Sequence, residues 1–306
     1  MRRTRLPPGQ MERWDTPDHD FLDVFRVPAA ATAPRLLLLH GLEGSPQSHY
    51  ARGMLQRVAR AGWGAEALVF RGCGAELNRT PRFYHSGETG DLELLAHRVA
   101  AEFPYAPLLA VGYSLGGNVL LKWLGDPAAR RPATLQAAAA VSVPYDLEAG
   151  AHYLQHGLSR VYERRFLRTL KSKATRKLRR FPDAYDLRAL TAARTLVQFD
   201  DAVTAPLHGF ANAHDYYTQC SARQFLAGVQ LPTLLISAYD DPFLPAAVLR
   251  DVDTVAGRNP AFTRLFSATG GHVGFVAGAD PLHPGYYSED RVFEFLAAQV
   301  SPFTPA

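Results

Sequence analysis

One serine of the sequence lies in a context that suits a nucleophile. The stretch AVGYSLGGN, residues 110–118, follows an apolar run and places Ser114 between Gly112 and Gly116. A serine at a sharp strand-to-helix junction is held in a strained turn, where side chains two residues to either side would clash and glycine fits. Its hydroxyl then projects at the positive end of the helix. The pattern predicts a nucleophile, with a serine in an ordinary structural turn as the alternative.

A neutral hydroxyl attacks slowly, so this chemistry needs a base within hydrogen-bond reach and a carboxylate that orients the base. Downstream, SAYDDPFLP places Asp240 and Asp241 after one apolar run, and SATGGHVGF places His272 after the next. The order serine, acid, histidine is the one expected for such an architecture. Because the carboxyl ends of parallel strands meet at one edge of a sheet, we expect these side chains to converge, with either aspartate as the acid.

Two backbone amides are candidates for binding the oxyanion that forms when an ester carbonyl is attacked. The stretch LLLLHGLEG ends a predicted strand at His40 and leaves the Leu42 amide free, and the Leu115 amide follows the serine directly. Amides in these two places supply an oxyanion hole. We expect the His40 side chain to hydrogen-bond the backbone of this turn rather than to transfer protons.

The scaffold for these groups is predicted from hydrophobic patterning. Apolar runs of strand length alternate with amphipathic stretches, which is typical of a mainly parallel sheet with crossover helices. The predicted strands are 35–40, 65–70, 108–113, 135–143, 233–239 and 263–268, and the predicted helices are 47–61, 87–102, 115–125 and 288–299. Ser86 is the predicted N-cap of the second helix. Before them, QMERWDT and DFLDVFRV predict an antiparallel hairpin at the sheet edge.

The alternation stops after VSVPYDLEAG and resumes near LAGVQLPTLLISAY. A long stretch rich in helix formers and basic residues lies between them, and this predicts an insertion over the strand ends. We therefore divide the chain into a core, residues 1–145 and 226–306, and a helical cap, residues 146–225.

Composition excludes several classes of protein. Of 306 residues, 47% are hydrophobic and 20% are charged, as in an ordinary globular protein. The start, MRRTRLPPGQ, lacks the apolar region of a secretory signal. The sequence contains no run of about 18 apolar residues, so no transmembrane helix is predicted. The two cysteines, Cys73 and Cys220, are too few for a disulfide framework, so we expect a cytoplasmic protein.

The charge is concentrated in one segment of the predicted cap. The chain has a net charge of +4, yet residues 158–180 contain ten lysines or arginines and one glutamate. Apolar residues at 158, 162, 166, 170, 174 and 178 predict a helix with one apolar stripe. A lid helix with a solvated face and a helix that contacts an anionic membrane both remain open. No aromatic interleaving or nucleic-acid module accompanies the charge, so nucleic acid is not an expected partner.

The motifs together resemble the α/β-hydrolase superfamily. More closely, HGLEGS, FRGCG, NRT, YHSGETGDL, GYSLGGN and DDPF are similar to a subfamily often called AB hydrolase 4. It includes bacterial predicted esterases, yeast ester synthase/esterases and mammalian membrane-associated lipid hydrolases. The resemblance runs from about residue 10 to 298 and implies an α/β-hydrolase fold with a triad of Ser114, Asp241 and His272. Unlike the mammalian members, this sequence shows no N-terminal membrane anchor.

We therefore expect a serine carboxylesterase that acts on short- to medium-chain esters or lipids through an acyl-enzyme on Ser114. The same triad would make an acyltransferase if an alcohol replaced water, and a silent binding module of the same fold is the rival from another class. No cofactor and no metal are expected. His152 and His156 have the i, i+4 spacing of metal ligands, but Tyr153 stands where a zincin has glutamate. His85 and Glu88 are expected to stabilise a loop and a helix start.

Overall fold

The computed structural model of the chain describes residues 4–278 and 285–300. Its centre is an eight-stranded sheet in the order β1-β2-β4-β3-β5-β6-β7-β8. The strands are β1 Gln10–Asp15, β2 Phe21–Val27, β3 Arg35–Leu39, β4 Gly64–Val69, β5 Leu108–Tyr113, β6 Leu135–Val141, β7 Thr233–Ala238 and β8 Phe262–Ser267. From β4 to β8 the neighbours run parallel, while β1 and β2 form the predicted antiparallel hairpin at one edge.

Strands β3 to β7 are buried on both sides, because helices cover both faces of the sheet. The helices between and after the strands are α1 His49–Arg60, α2 Gly90–Glu102, α3 Leu115–Gly125, α10 Ala246–Ala256 and α11 Tyr287–Ala298. A two-stranded ribbon, β9 Val276–Ala277 with β10 Gly285–Tyr286, precedes α11. The prediction of a mainly parallel α/β sheet with helices on both faces is confirmed.

Two predicted boundaries are wrong. The second helix begins at Gly90 and not at residue 87, and its N-cap is Thr89 and not Ser86. The Ser86 amide instead donates to the Tyr216 hydroxyl, and residues 85–88 form a turn. The predicted strand 135–143 ends at Val141, because Ser142 has a φ of +51°, which an extended strand does not allow.

Six further helices lie between β6 and β7: α4 Leu147–Tyr153, α5 Ser159–Arg180, α6 Leu187–Ala192, α7 Leu196–Phe199, α8 Ala205–His208 and α9 Ala213–Cys220. A π-helical turn, Asp200–Thr204, joins α7 to α8, and a 3₁₀ segment, Ala222–Gly228, leads into β7. Their side chains form two hydrophobic clusters separate from those around the sheet. Hereafter we call residues 146–225 the cap, although the division itself stays a prediction.

The burial of the residues along α5 agrees only in part with the predicted apolar stripe. Phe166 and Leu170 face a cavity, and Ala174 and Leu178 are buried. Leu158 and Tyr162 are exposed instead, with 87% and 43% of their surface accessible. Among the described residues no helix is both long enough and apolar enough to cross a bilayer.

Candidate active site

Ser114 lies in the turn between β5 and α3, and its backbone is strained there with φ of +52° and ψ of −122°. Glycine is needed at both flanking positions because the backbone around them packs too closely for a Cβ atom. A Cβ on Gly112 would lie 2.4 Å from the Gly116 carbonyl oxygen, and one on Gly116 would lie 2.6 Å from the His40 carbonyl oxygen. The sequence pattern therefore reflects close packing of the serine turn on the end of β3.

The structure brings together the three side chains of the predicted triad. His272 Nε2 lies 2.9 Å from Ser114 Oγ, and His272 Nδ1 lies 2.8 Å from Asp241 Oδ2. Because a carboxylate only accepts hydrogen bonds, the ring proton is on Nδ1 and leaves Nε2 free to accept the serine proton. The arrangement can deprotonate a hydroxyl as it attacks a carbonyl carbon.

The two adjacent aspartates have different partners. Asp241 is buried, and besides His272 it accepts the Phe243 amide at 2.8 Å. Asp240 accepts the Gly271 amide at 2.8 Å and so supports the histidine loop from outside. Of the two candidates left open by the sequence, Asp241 contacts the imidazole.

Further contacts hold the histidine loop, and the sequence did not predict them. The Phe243 ring stacks on the His272 imidazole with centroids 3.9 Å apart. The Val273 amide donates to Ser142 Oγ at 3.2 Å, and both residues have positive φ angles. Of these contacts, only that of Phe243 could have been anticipated from the sequence, because Phe243 follows Asp241 by two residues and so had to lie near the acid.

The turn after β3 presents the Leu42 amide. The carbonyl of the same peptide group, on Gly41, accepts hydrogen bonds from His40 Nδ1 at 2.7 Å and from the Gly44 amide at 3.0 Å. In a trans peptide the N–H points away from the carbonyl. Within residues 4–278 and 285–300, the Leu42 amide has no acceptor.

His40 is fixed in one neutral form. The Phe70 amide donates to its Nε2 at 3.2 Å, so the ring proton is on Nδ1, where it donates to the Gly41 carbonyl. Burial lowers the pKa of His40 to about 4. This confirms the expected backbone role of His40.

The Leu115 amide is the first of α3, and the first amides of a helix have no partner within it. Gly41 packs on the nucleophile, since a Cβ on Gly41 would lie 3.1 Å from Ser114 Cβ. The β3 turn that carries Leu42 and the start of α3 are thus in contact at the serine. Two amides that have no acceptor in the described part of the chain can stabilise, in this setting, a developing negative charge on a carbonyl oxygen.

A cavity of about 130 Å³ opens over the serine. Its wall combines Leu42, Ser114 and Leu115 of the core with many apolar side chains of the cap, among them Leu154, Phe166, Leu170, Leu196, Phe199 and Val203. A mostly apolar cavity with few polar groups suits a small organic ligand or an acyl chain.

Two carboxyl groups, of Glu43 and Asp200, lie in this mostly apolar wall. Asp200, in the π-helical turn, accepts the Tyr217 and Thr204 hydroxyls, each at 2.6 Å. Burial raises the pKa of Asp200 to about 6.

Three side chains near the cavity have the composition of a metal site. Ligand atoms of His85, Glu88 and His208 lie within 4.8 Å of one another. Arg82, however, forms an ion pair with Glu88, and the Gly87 amide donates to His85 Nδ1. Burial lowers the pKa of His85 well below its usual value, so the neutral ring carries its proton on Nε2, toward Glu88. A ligand nitrogen needs a free lone pair, and His85 Nδ1 and the Glu88 carboxylate are already engaged by these contacts, whereas His208 Nε2 has no hydrogen-bond partner among the described residues.

Comparison with known proteins agrees with this geometry. The profile of the alpha/beta hydrolase fold matches residues 34–279. The chain belongs to this family. It is 41% identical over 290 residues to "Putative esterase YheT" of Escherichia coli (strain K12), covering 93% of this chain and 84% of that protein.

Two other relatives are longer. The chain is 33% identical to "Phospholipase ABHD3" of Homo sapiens, covering 89% of this chain and 65% of that protein. It is 31% identical to "Monoacylglycerol lipase" of Saccharomyces cerevisiae, covering 79% and 55%. Among solved structures, the Pyrococcus furiosus esterase Pf2001 shares the fold with a TM-score of 0.63 at 15% identity, covering 96% of this chain and 92% of that one.

Proposed function

We propose that the protein is a serine carboxylesterase that hydrolyses short- to medium-chain carboxylic esters or lipids through an acyl-enzyme on Ser114. The observation that carries the proposal is the hydrogen-bonded series from Ser114 to His272 to Asp241 at the wall of an apolar cavity. The names of the relatives, an esterase, a phospholipase and a monoacylglycerol lipase, support the same class of reaction.

In the first half of the reaction, Ser114 Oγ attacks the ester carbonyl carbon while His272 Nε2 takes the hydroxyl proton. Asp241 keeps the ring in the required tautomer and stabilises the imidazolium that forms. The Leu42 and Leu115 amides bind the oxyanion, where each such donor typically contributes about 10² to 10³ in rate. His272 then protonates the alcohol oxygen, the C–O bond breaks, and the acyl group stays on the serine.

In the second half, water replaces the alcohol. His272 takes a proton from water as the oxygen attacks the acyl carbon, and then returns a proton to Ser114 Oγ as the acid leaves. If an alcohol enters instead of water, the same steps transfer the acyl group to it. The two outcomes differ only in what reaches the site, so product analysis with added alcohol distinguishes esterase from acyltransferase.

The direct test is turnover of a soluble p-nitrophenyl butanoate by the wild type and by Ser114→Ala. We expect the variant to keep its fold and to retain less than about a tenth of the activity, because loss of a triad serine costs orders of magnitude. Ser172→Ala, an exposed serine on α5, is the matched control and should behave as wild type. Equal activity of Ser114→Ala and wild type would refute the proposal, as would absence of turnover in the wild type together with no reaction toward a fluorophosphonate.

We further propose that the first turns of α5 contact an anionic membrane surface. Leu158, Val161 and Tyr162 are exposed there, and Arg160, Arg164, Arg165 and Arg168 surround them with their side chains in solvent. We call these seven residues the α5 patch. Exposed apolar side chains flanked by arginines favour binding in the plane of a lipid interface.

The α5 patch lies close to the triad. The Tyr162 ring contacts Phe243 at 5.0 Å between centroids, and Phe243 stacks on His272. A lipid surface at the patch would therefore lie close to His272. A small soluble ester needs no such contact.

The cytoplasmic location of the protein stays a prediction from the sequence.

A further inference from the structure

We propose that Lys173 of the cap is a positioning residue for the oxyanion hole. By pairing with Glu43 it fixes the turn that carries the Leu42 amide, so that this amide is correctly oriented only while α5 packs on the turn. The inference rests on the proposed function, and it adds to it a dependence of the catalytic rate on the cap.

The turn needs contacts from outside to keep its conformation. Glu43 has a φ of +57°, in the left-handed region that a residue with a side chain rarely adopts. The peptide group after Leu42 is held at its N–H, because the Glu43 amide donates to the Tyr84 hydroxyl at 2.8 Å. The peptide group before Gly41 is held in the same way, by the Tyr50 hydroxyl at 2.8 Å. The Leu42 amide thus lies between two peptide groups that tyrosine hydroxyls fix.

The Glu43 side chain closes this arrangement. Its Oε1 accepts the Tyr84 hydroxyl at 3.0 Å, so the same tyrosine receives the Glu43 amide and donates to the Glu43 carboxylate. A carboxylate in this place requires a positive partner, since only 9% of the side chain is exposed.

Lys173 supplies that partner from the cap. Its Nζ lies 2.9 Å from Glu43 Oε1, across 130 residues of sequence. Lys173 is on the face of α5 that lines the cavity, together with Leu170, and the ion pair lies in the same cavity wall as Ser114 and Leu42. Charge-assisted hydrogen bonds in a partly desolvated place are stronger than surface pairs. If α5 moves away, Glu43 loses its cation, and the Tyr84 contacts that orient the turn lose their support.

A second lysine of α5 provides a matched control. Lys171 Nζ donates to the carbonyls of Thr191 and Ala193, both within the cap. Replacement of either lysine by methionine removes one charge and one or two hydrogen bonds from the same helix. Of the two, only Lys173→Met removes a contact to the turn that carries Leu42.

The test compares Lys173→Met, Lys173→Arg, Lys171→Met and Tyr84→Phe. For each we would measure kcat and KM with p-nitrophenyl butanoate and the inhibition constant of a trifluoromethyl ketone, whose adduct with the serine carries an oxyanion. For Lys173→Met and Tyr84→Phe we expect kcat to fall about tenfold or more and the inhibition constant to rise in parallel, with KM within about twofold of wild type. Lys173→Arg should restore most of kcat, and Lys171→Met should match wild type.

Several results would overturn the inference. Unchanged kcat and inhibition constant in folded Lys173→Met would do so, and so would an equal loss in Lys171→Met, which would indicate general weakening of the cap. A rise in KM alone would mean that Lys173 contacts substrate. If Lys173→Met does not fold, Glu43→Gln decides, because it removes the charge that Lys173 pairs with, and unchanged kcat in that variant would overturn the inference. Failure of the proposed function is recognised separately, since wild type would then neither hydrolyse esters nor react with a fluorophosphonate.

Discussion

Asp240 and Asp241 are adjacent in the chain, yet their carboxylates support the histidine loop at different atoms. Asp241 accepts the His272 ring N–H at 2.8 Å, and Asp240 accepts the Gly271 backbone N–H at 2.8 Å. One orients the base itself, and the other orients the loop that carries it. Their different contacts make the pair a test of which carboxylate takes part in catalysis.

Asp241→Asn is expected to reduce kcat far more than Asp240→Asn. An amide beside His272 Nδ1 favours the tautomer with its proton on Nε2, which cannot accept the serine proton, and such a change costs about 10⁴ in kcat in a well-known triad. Asp240→Asn keeps an oxygen acceptor for the Gly271 amide. The measurement is steady-state kinetics with p-nitrophenyl butanoate. A larger loss in Asp240→Asn would show that the acid is assigned to the wrong residue.

The α5 patch predicts that substitutions within it weaken membrane binding without changing the turnover of a soluble ester. Replacing Arg160, Arg164, Arg165 and Arg168 by Gln should leave turnover of the soluble ester nearly unchanged. Binding to vesicles rich in phosphatidylserine should fall, because each basic residue near such a surface contributes about 1 kcal/mol. Lys171 is best left intact, since it binds carbonyls within the cap.

Vesicle co-sedimentation at low and high salt measures this effect. Binding by wild type should weaken as salt rises, since counterions screen the attraction. Leu158→Ser with Val161→Ser should also reduce binding, without changing the net charge. Equal binding of wild type and both variants, or none by wild type at low salt, would mean that the patch is a solvated helix face.

The partly buried Asp200 predicts a pH-dependent contribution to stability. Its pKa is raised from 3.8 to about 6, so between these values the folded protein binds the proton more tightly than the unfolded chain does. The contribution is fully present below pH 3.8 and is lost as the pH rises through about 6. The loss is of the order of 3 kcal/mol, from about 1.4 kcal/mol per pKa unit.

Asp200→Asn removes this ionisation. We expect the melting temperature of the variant, relative to wild type, to be higher at pH 8 than at pH 4.5. The hydrogen bonds of Tyr217 and Thr204 change in both conditions, so the comparison across pH isolates the charge. A difference in melting temperature that does not vary with pH would contradict the assignment of a raised pKa.

The sheet and the convergence of Ser114, His272 and one of two adjacent aspartates could be predicted from the sequence, because apolar runs set the strands and glycines mark the serine turn. The start of α2 could not, since Ser86 is engaged by Tyr216 of the cap rather than by its own helix. Tertiary contacts of this kind leave no local pattern. The cap division and the catalytic roles of the triad remain predictions.

The turn that carries Leu42 shows the same limit. Leu42 could be named from the position of the turn alone, but the hydroxyls that fix it come from Tyr50 and Tyr84, and the cation beside it comes from Lys173. These partners are separated from the turn by up to 130 residues of sequence. Their tyrosine and lysine side chains have no spacing that would reveal such a role before the chain is folded.

The central claim is that Ser114 is the nucleophile, and covalent trapping tests it most directly. Purified protein would be treated with a fluorophosphonate, and its intact mass and proteolytic peptides would be measured by mass spectrometry. The account predicts one phosphonyl group per chain, on the peptide that contains Ser114, and none on Ser114→Ala. An unmodified wild-type protein, or a phosphonyl group on another residue that persists in Ser114→Ala, would contradict it.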